Sequence, residues 1–309
     1  MRFNRLQHPE VRYEVTDLCN ASCIMCPREK HDRAHGIMDQ EKYETSIDEV
    51  VLLGCKRVVL TGFGEPFLDK NLELKIAYAK SKGLKTHLIT NGSVLTERRR
   101  KAVIESGLDE MRISFYGMTS GSYNSVMRGL NYETTVKRIL AFLDERTNTE
   151  VQIFYLILPE NESHVEHFKN FWESKVDAIE IWKPHNFGDG RDYRERDLEK
   201  KTCGRPKHGP LQIQWNGEVI PCCYDYNNNI VLGNAFEQPV MNILYGKRYS
   251  ELRMQHETGD FPPYCDQCDQ LLPHEDALVY TNRHDLPNSE AVKLSNTDLY
   301  NLIDNREFQ

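Results

Sequence analysis

Short apolar runs alternate with longer stretches of mixed character from residue 11 to about residue 182. The short runs predict strands over 11–16, 57–61, 85–90, 110–114, 151–158 and 178–182. Between them, helical spacing of apolar positions covers 40–53, 72–82, 96–106, 132–145 and 163–173. Asp39, Thr96 and Ser163 stand at helix starts, where a side-chain oxygen can accept from free backbone N–H groups. Gly54, Gly83 and Gly107 stand at helix ends, where a left-handed residue closes the last turn at little steric cost. Alternating strands and helices imply parallel strands, because each return needs a crossover. Six such strands fit before residue 203 and eight do not. The expected fold is therefore α/β, an open, partial (β/α)6 barrel.

After Trp182 the texture changes. Residues 183–210 are polar and rich in Gly, Pro and Arg, as a linker or a ligand-facing loop would be. The runs 211–215 and 218–222, split by Asn216-Gly217, predict a β-hairpin with a type I′ turn. Residues 241–256 have helical spacing, and 273–309 carry few apolar anchors and predict a tail. The expected division is a barrel over 1–195, a small hairpin-plus-helix unit over 196–272, and a tail over 273–309.

The 309 residues carry 39 Lys and Arg against 47 Asp and Glu, a net charge of −8. That balance argues against a nucleic-acid partner. No apolar run approaches the ~18 residues of a membrane span, and the first residues lack an apolar signal segment. The expected setting is the reducing cytoplasm, where nine cysteines are unlikely to form a disulfide framework. Eight of them fall into two groups: 19, 23 and 26, then 203, 222, 223, 265 and 268. Cys55 stands alone and is expected as a small buried apolar side chain.

The first group is C-x3-C-x2-C placed directly after the first predicted strand. Three thiolates need a distant fourth ligand, such as His31 or His35, to complete a tetrahedral zinc site. They can instead ligate three irons of a [4Fe–4S] cluster and leave the fourth open. This spacing resembles the signature of the radical S-adenosylmethionine (radical SAM) superfamily, with Met25 where the family usually has an aromatic residue. Gly64-Glu65-Pro66, ending the second predicted strand, resembles the family's GGEP motif, with Phe63 replacing its first glycine. In physical terms Gly64 would let the backbone approach a ligand, Glu65 would supply a negative partner, and Pro66 would fix the turn. The resemblance implies a [4Fe–4S] cluster held by Cys19, Cys23 and Cys26, with S-adenosylmethionine (SAM) on the open iron. It also implies SAM contacts from Gly64, Glu65, Asn91, Ser114 and Arg128, the last two toward the carboxylate. Gln152 and Tyr155 lie on the fifth strand, and the pattern leaves open which one faces inward.

In the second group, Cys203, then Gly217-x4-Cys222, then Cys265-x2-Cys268 resembles the SPASM/twitch extension of radical SAM enzymes. The absence of cysteines after Cys268 favours the twitch form. That resemblance implies a fully ligated auxiliary [4Fe–4S] cluster on Cys203, Cys222, Cys265 and Cys268, with Cys223 able to exchange with Cys222. A four-thiolate zinc ribbon is the alternative.

The loop 183–191 leaves the last strand between the two groups, so Lys183, His185 and Arg191 are candidate proton acceptors and Tyr224-Asp225-Tyr226 a candidate lining. The resemblance implies an enzyme that cleaves SAM to a 5′-deoxyadenosyl radical and abstracts hydrogen from a small polar substrate. The leading expectation is oxidation of a cyclitol or sugar hydroxyl, with the auxiliary [4Fe–4S] cluster as electron acceptor and a flavodoxin- or ferredoxin-type electron donor. Epimerisation, with a hydrogen donor such as Cys223, and peptide maturation are alternatives. With ten residues ahead of Val11, no leader-binding extension is expected. A cluster carrier without SAM affinity is the non-enzymatic reading. The oligomeric state stays open.

Overall fold

The structure, a computed structural model, describes residues 5–188, 191, 199–272 and 277–283. Five strand–helix units and a sixth strand form its first part. They are β1 (Glu10–Tyr13), α1 (Gln40–Leu52), β2 (Arg57–Leu60), α2 (Leu72–Ser81), β3 (Lys85–Thr90), α3 (Glu97–Glu105) and β4 (Glu110–Ser114), followed by α4 (Ser120–Val126), α5 (Tyr132–Glu145), β5 (Glu150–Leu156), α6 (Val165–Trp172) and β6 (Ala178–Trp182). The second part holds α7 (Arg205–His208), β7 (Leu211–Ile213), β8 (Glu218–Ile220), β9 (Gly233–Asn234), α8 (Val240–Leu244), α9 (Lys247–Thr258), α10 (Pro263–Asp266) and β10 (Leu278–Thr281).

Strands β1 to β6 are parallel neighbours in chain order, so the α/β partial barrel is the observed fold. Their alternation sorts the side chains. Val11, Val58, Leu88, Met111, Ile153 and Ile179 are wholly buried. Glu10, Arg12, Arg57, His87, Arg112, Gln152 and Glu180 instead line the barrel interior. Gln152 is thus the inward residue of β5. Tyr155 points the other way, its hydroxyl donating to the Asn161 carbonyl at 2.7 Å and its ring against Phe168. Tyr43, Ile76, Val103, Phe142 and Trp172 bury the inner faces of five helices. Each such side chain contributes about 1.5–3 kcal/mol of apolar transfer.

The hairpin does not stand apart. β7 pairs in parallel with β1, and β8 and β9 continue the same sheet, giving the order β10-β6-β5-β4-β3-β2-β1-β7-β8-β9. Its turn also differs from expectation. The Gly217 N–H donates to the Gln214 carbonyl at 2.8 Å, and Gly217 alone of the central pair has positive φ (+87°). A turn centred on Trp215-Asn216 with a left-handed glycine after it replaces the type I′ turn. The expected tail is corrected in part: Leu278–Thr281 forms an edge strand antiparallel to β6. The helix expected over 241–256 is two helices, parted at Gly246, whose extended backbone (ψ 165°) starts α9.

Asp39 caps α1 by accepting from the Lys42 N–H, whereas Thr96 makes no side-chain cap bond and α6 starts after His164 rather than at Ser163. The helix α4 was not expected, because Ser-Gly-Ser-Tyr-Asn-Ser-Val has weak helix propensity. A reciprocal cap between Thr119 and Ser122 supports its start.

A Cβ at Gly217 would lie 2.4 Å from Asn234 Oδ1 and 2.5 Å from the Phe236 ring, while at Gly83 (φ +77°) it would meet nothing within 4 Å. Gly217→Ala is expected to cost about 2 kcal/mol or more and Gly83→Ala about 1 kcal/mol in urea unfolding. Equal costs would show that the steric contact has no weight.

Candidate functional site: two thiol groups around a polar cavity

The C-terminal ends of the barrel strands open into a cavity of about 470 Å³ lined by Cys19, Cys23, Cys26, Glu65, Asn91, Ser114, Lys183, His185 and Cys223. The loop 19–26 has no ladder of its own and is held by neighbours. The Glu65 N–H donates to the Leu18 carbonyl (2.8 Å), Ser22 N–H to the Arg128 carbonyl (2.8 Å) and Ile24 N–H to the Val126 carbonyl (3.0 Å). Gly64 serves that packing: a Cβ there would lie 2.1 Å from the Thr16 carbonyl oxygen. Its missing side chain therefore makes room for protein backbone, and Gly64 itself also lines the cavity.

Glu65 is buried and its carboxylate accepts from Thr90 Oγ1 (2.7 Å), Asn91 N–H (2.8 Å) and Phe67 N–H (3.1 Å). Burial raises its pKa against those hydrogen bonds. Asn91 reaches the cysteine loop by donating from Nδ2 to Asn20 Oδ1 at 3.0 Å, while its own Oδ1 accepts from Ser93. Ser114 ends β4 in the cavity wall. Arg128 is exposed and outside that wall, and its carbonyl rather than its guanidinium serves the cysteine loop. The spacing of Met127-Arg128-Gly129 carried no information about which atom of the arginine is used.

Burial raises the thiol pKa values throughout the first group, Cys26 to about 11, and Cys19 and Cys26 add to the rise at Cys23. In the second group Cys222 is raised by burial and by Cys223, Cys268 and Cys265, and Cys268 is pushed up to about 12 with a contribution from Cys203. The five thiols of the second group therefore share one neighbourhood, and the Cys223 Sγ also lies 4.0 Å from Arg12 Nη1 at the cavity wall. Thiolates so placed are stable only on a cation. A single tetrahedral zinc would bring its sulfurs to about 3.8 Å from one another, from bonds of about 2.3 Å. Among the described residues, the only group of three His, Cys, Asp or Glu with donor atoms within 4.8 Å is Asp17, His31 and His35. The two histidines thus gather around Asp17, and the more widely spaced thiols fit a multinuclear iron–sulfur cluster in each place.

Loop 183–191 is split in its placement. Lys183 and His185 line the cavity, with the His185 ring 4.1 Å from that of Phe187 and 4.0 Å from that of Tyr224. Asp189 and Gly190 lie outside the described residues. Arg191 is not in the wall: its guanidinium donates to the carbonyls of Ile24 (2.9 Å) and Cys26 (2.8 Å) and pairs with Glu29. An always-protonated group so engaged does not accept a proton. Tyr224 lines the cavity, but Asp225 is fully buried and caps the backbone of Asn229 and Ile230. Sequence reasoning missed the interior charges on β1 to β6, which period-two alternation of polar residues could have revealed. It also missed Asn186, which carried no signal.

Two family models match the chain: the Radical SAM superfamily over residues 13–171, and an iron-sulfur cluster-binding domain (SPASM) over 203–269. The chain is 23% identical to the S-adenosyl-L-methionine-dependent 2-deoxy-scyllo-inosamine dehydrogenase of Niallia circulans, over 81% of this chain and 87% of that one. It is 32% identical to the GTP 3′,8-cyclase of Pelotomaculum thermopropionicum over 43% of this chain, spanning 42% of the cyclase's length. Likewise it spans 40% of the Fe-coproporphyrin III synthase of Methanosarcina barkeri, at 26% identity over 48% of this chain. Among solved structures, BtrN in complex with AdoMet and 2-DOIA has a TM-score of 0.60 at 20% identity, covering 86% of this chain and 94% of that one. Streptococcus suis SuiB bound to precursor peptide SuiA has a TM-score of 0.68 at 15% identity, covering 87% and 72%. These two likenesses show the shared fold. No helix among the described residues is long and apolar enough to cross a membrane.

Gly64→Ala is expected to displace the backbone of residues 16–18 and, with it, the first thiol group. Anaerobic reconstitution should then yield about four fewer irons per chain than the unaltered protein. Full iron content would show that the loop absorbs the added methyl.

Proposed function

Because the chain belongs to the radical SAM superfamily, with a [4Fe–4S] cluster, SAM and an auxiliary iron–sulfur site as its cofactors, we propose that it oxidises a hydroxyl group of a small cyclitol or sugar. The observation that carries this reading is the set of polar groups in the cavity wall: Glu10, Arg12, His87, Arg112, Gln152 and Glu180 stand there among apolar and aromatic side chains such as Val59, Phe154 and Trp182. Such a wall suits a ligand with many hydroxyls. The likeness along most of both chains to the Niallia circulans dehydrogenase supports it.

When bound, the reduced cluster and SAM supply a 5′-deoxyadenosyl radical that takes hydrogen from carbon. Cys19, Cys23 and Cys26 would hold the first cluster, and Cys203, Cys222, Cys265 and Cys268 the auxiliary one. Glu65, Asn91 and Ser114 stand at the strand ends where SAM would be gripped. Oxidising an alcohol also requires loss of the hydroxyl proton and of one further electron: Lys183 or His185 in the wall would receive the proton, and the auxiliary cluster on its four cysteines would supply the electron acceptor. The rings of Phe187 and Tyr224 flank that of His185 and support its position. The exposed position of Arg128 and the bonds of Arg191 to the Ile24 and Cys26 carbonyls count against ligand and proton-acceptor roles for them. A flavodoxin- or ferredoxin-type protein would deliver the electron.

A second reading, epimerisation, is favoured by one observation. Cys223 presents its sulfur to the cavity beside the Arg12 guanidinium. A thiol there can return a hydrogen atom to the opposite face of a substrate radical.

Two measurements test these readings. With cyclitol or sugar substrates, SAM and dithionite, the product should weigh two hydrogens less than the substrate. A product that loses no hydrogens and gains one solvent deuterium in heavy water would replace oxidation by epimerisation. Cys223→Ser should retain both clusters, at about eight irons per chain, whereas Cys222→Ser should lose about four. The reverse pattern would exchange the two ligand assignments.

A further inference from the structure

Between the two thiol groups lies a short tie. Asn186 and Asp269 are joined by a reciprocal pair: Asn186 N–H donates to Asp269 Oδ2 at 2.8 Å, and Asp269 N–H donates to Asn186 Oδ1 at 3.1 Å. Asn186 Nδ2 donates as well, to the Gln267 carbonyl at 2.8 Å. These bonds hold the loop that carries Cys265 and Cys268. At the other end, the Arg191 guanidinium grips the Ile24 and Cys26 carbonyls. The two ends are joined directly, because the Arg191 backbone N–H donates to the Asn186 carbonyl at 2.8 Å.

Phe187, which follows Asn186, is held against local preference. Phe187 has φ of +51°, a conformation that a bulky side chain disfavours. Gly188 follows at φ +71°, where a Cβ would lie 2.6 Å from the Tyr264 ring. The Tyr264 hydroxyl donates to the carbonyls of Phe187 (2.9 Å) and Tyr224 (2.7 Å). Asn186 is 2% exposed, so its bonds are not exchanged with water. A disfavoured backbone persists where its surroundings over-determine it.

We propose that Asn186 and Arg191 are positioning residues which, through their shared hydrogen bond, make the placement of the cysteine loop 19–26 depend on that of the loop 265–268. Displacement of either loop is carried to the other by the tie, which is a contiguous chain of hydrogen bonds rather than a remote effect. This rests on the two-cluster reading of the chain but not on the choice of substrate, so it is tested without one.

The test is a double-mutant cycle on the anaerobically reconstituted holoenzyme with Asn186→Ala, Arg191→Gln and the pair. SAM affinity is read from the SAM-dependent change in the electron paramagnetic resonance signal of the reduced protein, with iron content and unfolding midpoint measured in parallel. Asn186→Ala touches only the distant loop, yet is expected to weaken SAM binding about three- to thirtyfold. The double variant should bind no more weakly than the weaker single, and Arg191→Lys should recover part of the loss. Should Asn186→Ala fail to fold or to load iron, Tyr264→Phe, which removes one hydroxyl, is measured instead and is expected to weaken SAM binding in the same direction. The proposal is overturned if the variant that loads iron keeps its SAM affinity within about twofold, or if the two single effects multiply independently.

Discussion

A loop that carries three thiols has no ladder of its own, so every backbone group it buries must find a partner in the surrounding protein. Here the partners come from the β2–α2 turn, from the end of α4 and from Arg191. Gly64 is the tightest point in that arrangement, since the carbonyl oxygen of Thr16 occupies the space of its absent side chain. Placement of the cluster ligands thus depends on backbone contacts between loops that are far apart in the chain. Rigid support of this kind is what a reactive site needs, because small misplacements of the reacting groups are costly.

The barrel interior adds a second constraint. Glu10 pairs with Arg12 at 2.5 Å, Arg57 with Glu110 at 2.5 Å, and Arg112 with Glu180. Burial works to raise the Glu10 pKa, but Arg12 and Arg57 outweigh it and hold the carboxyl at about 2; His87 is lowered to about 4 by burial and by Arg57. Such buried pairs contribute little to stability beyond what apolar packing would, whereas removing one partner costs about 3–5 kcal/mol. Their retention fits an open barrel that must solvate a polar ligand, even though Val59, Ile89, Phe154 and Trp182 share the interior with them.

Much of this was legible in the chain. The six parallel strands, most helices and both cysteine groups follow from periodicity, crossover logic and spacing, since each is a local pattern. The errors share a different cause. Whether an arginine contributes its side chain or its carbonyl, as at Arg128, depends on which way a loop turns. That the Thr16 carbonyl takes the space beside Gly64 depends on a contact across forty-odd residues of sequence. Strand β10 was hidden because a short edge strand needs only a partner of the right register, and β6 supplies one. The turn at Gly217 went astray because Asn-Gly suits two hairpin geometries, and contacts with Asn234 and Phe236 choose between them.

The pairing of β7 with β1 has a consequence for dissecting the protein. The second cysteine group is borne by elements woven into the same hydrogen-bonded ribbon as the barrel, so a fragment cut after β6 would expose a bare row of amides and carbonyls along β1. An unshielded margin of that sort invites self-association. The two halves are better regarded as one cooperative body than as modules to be exchanged.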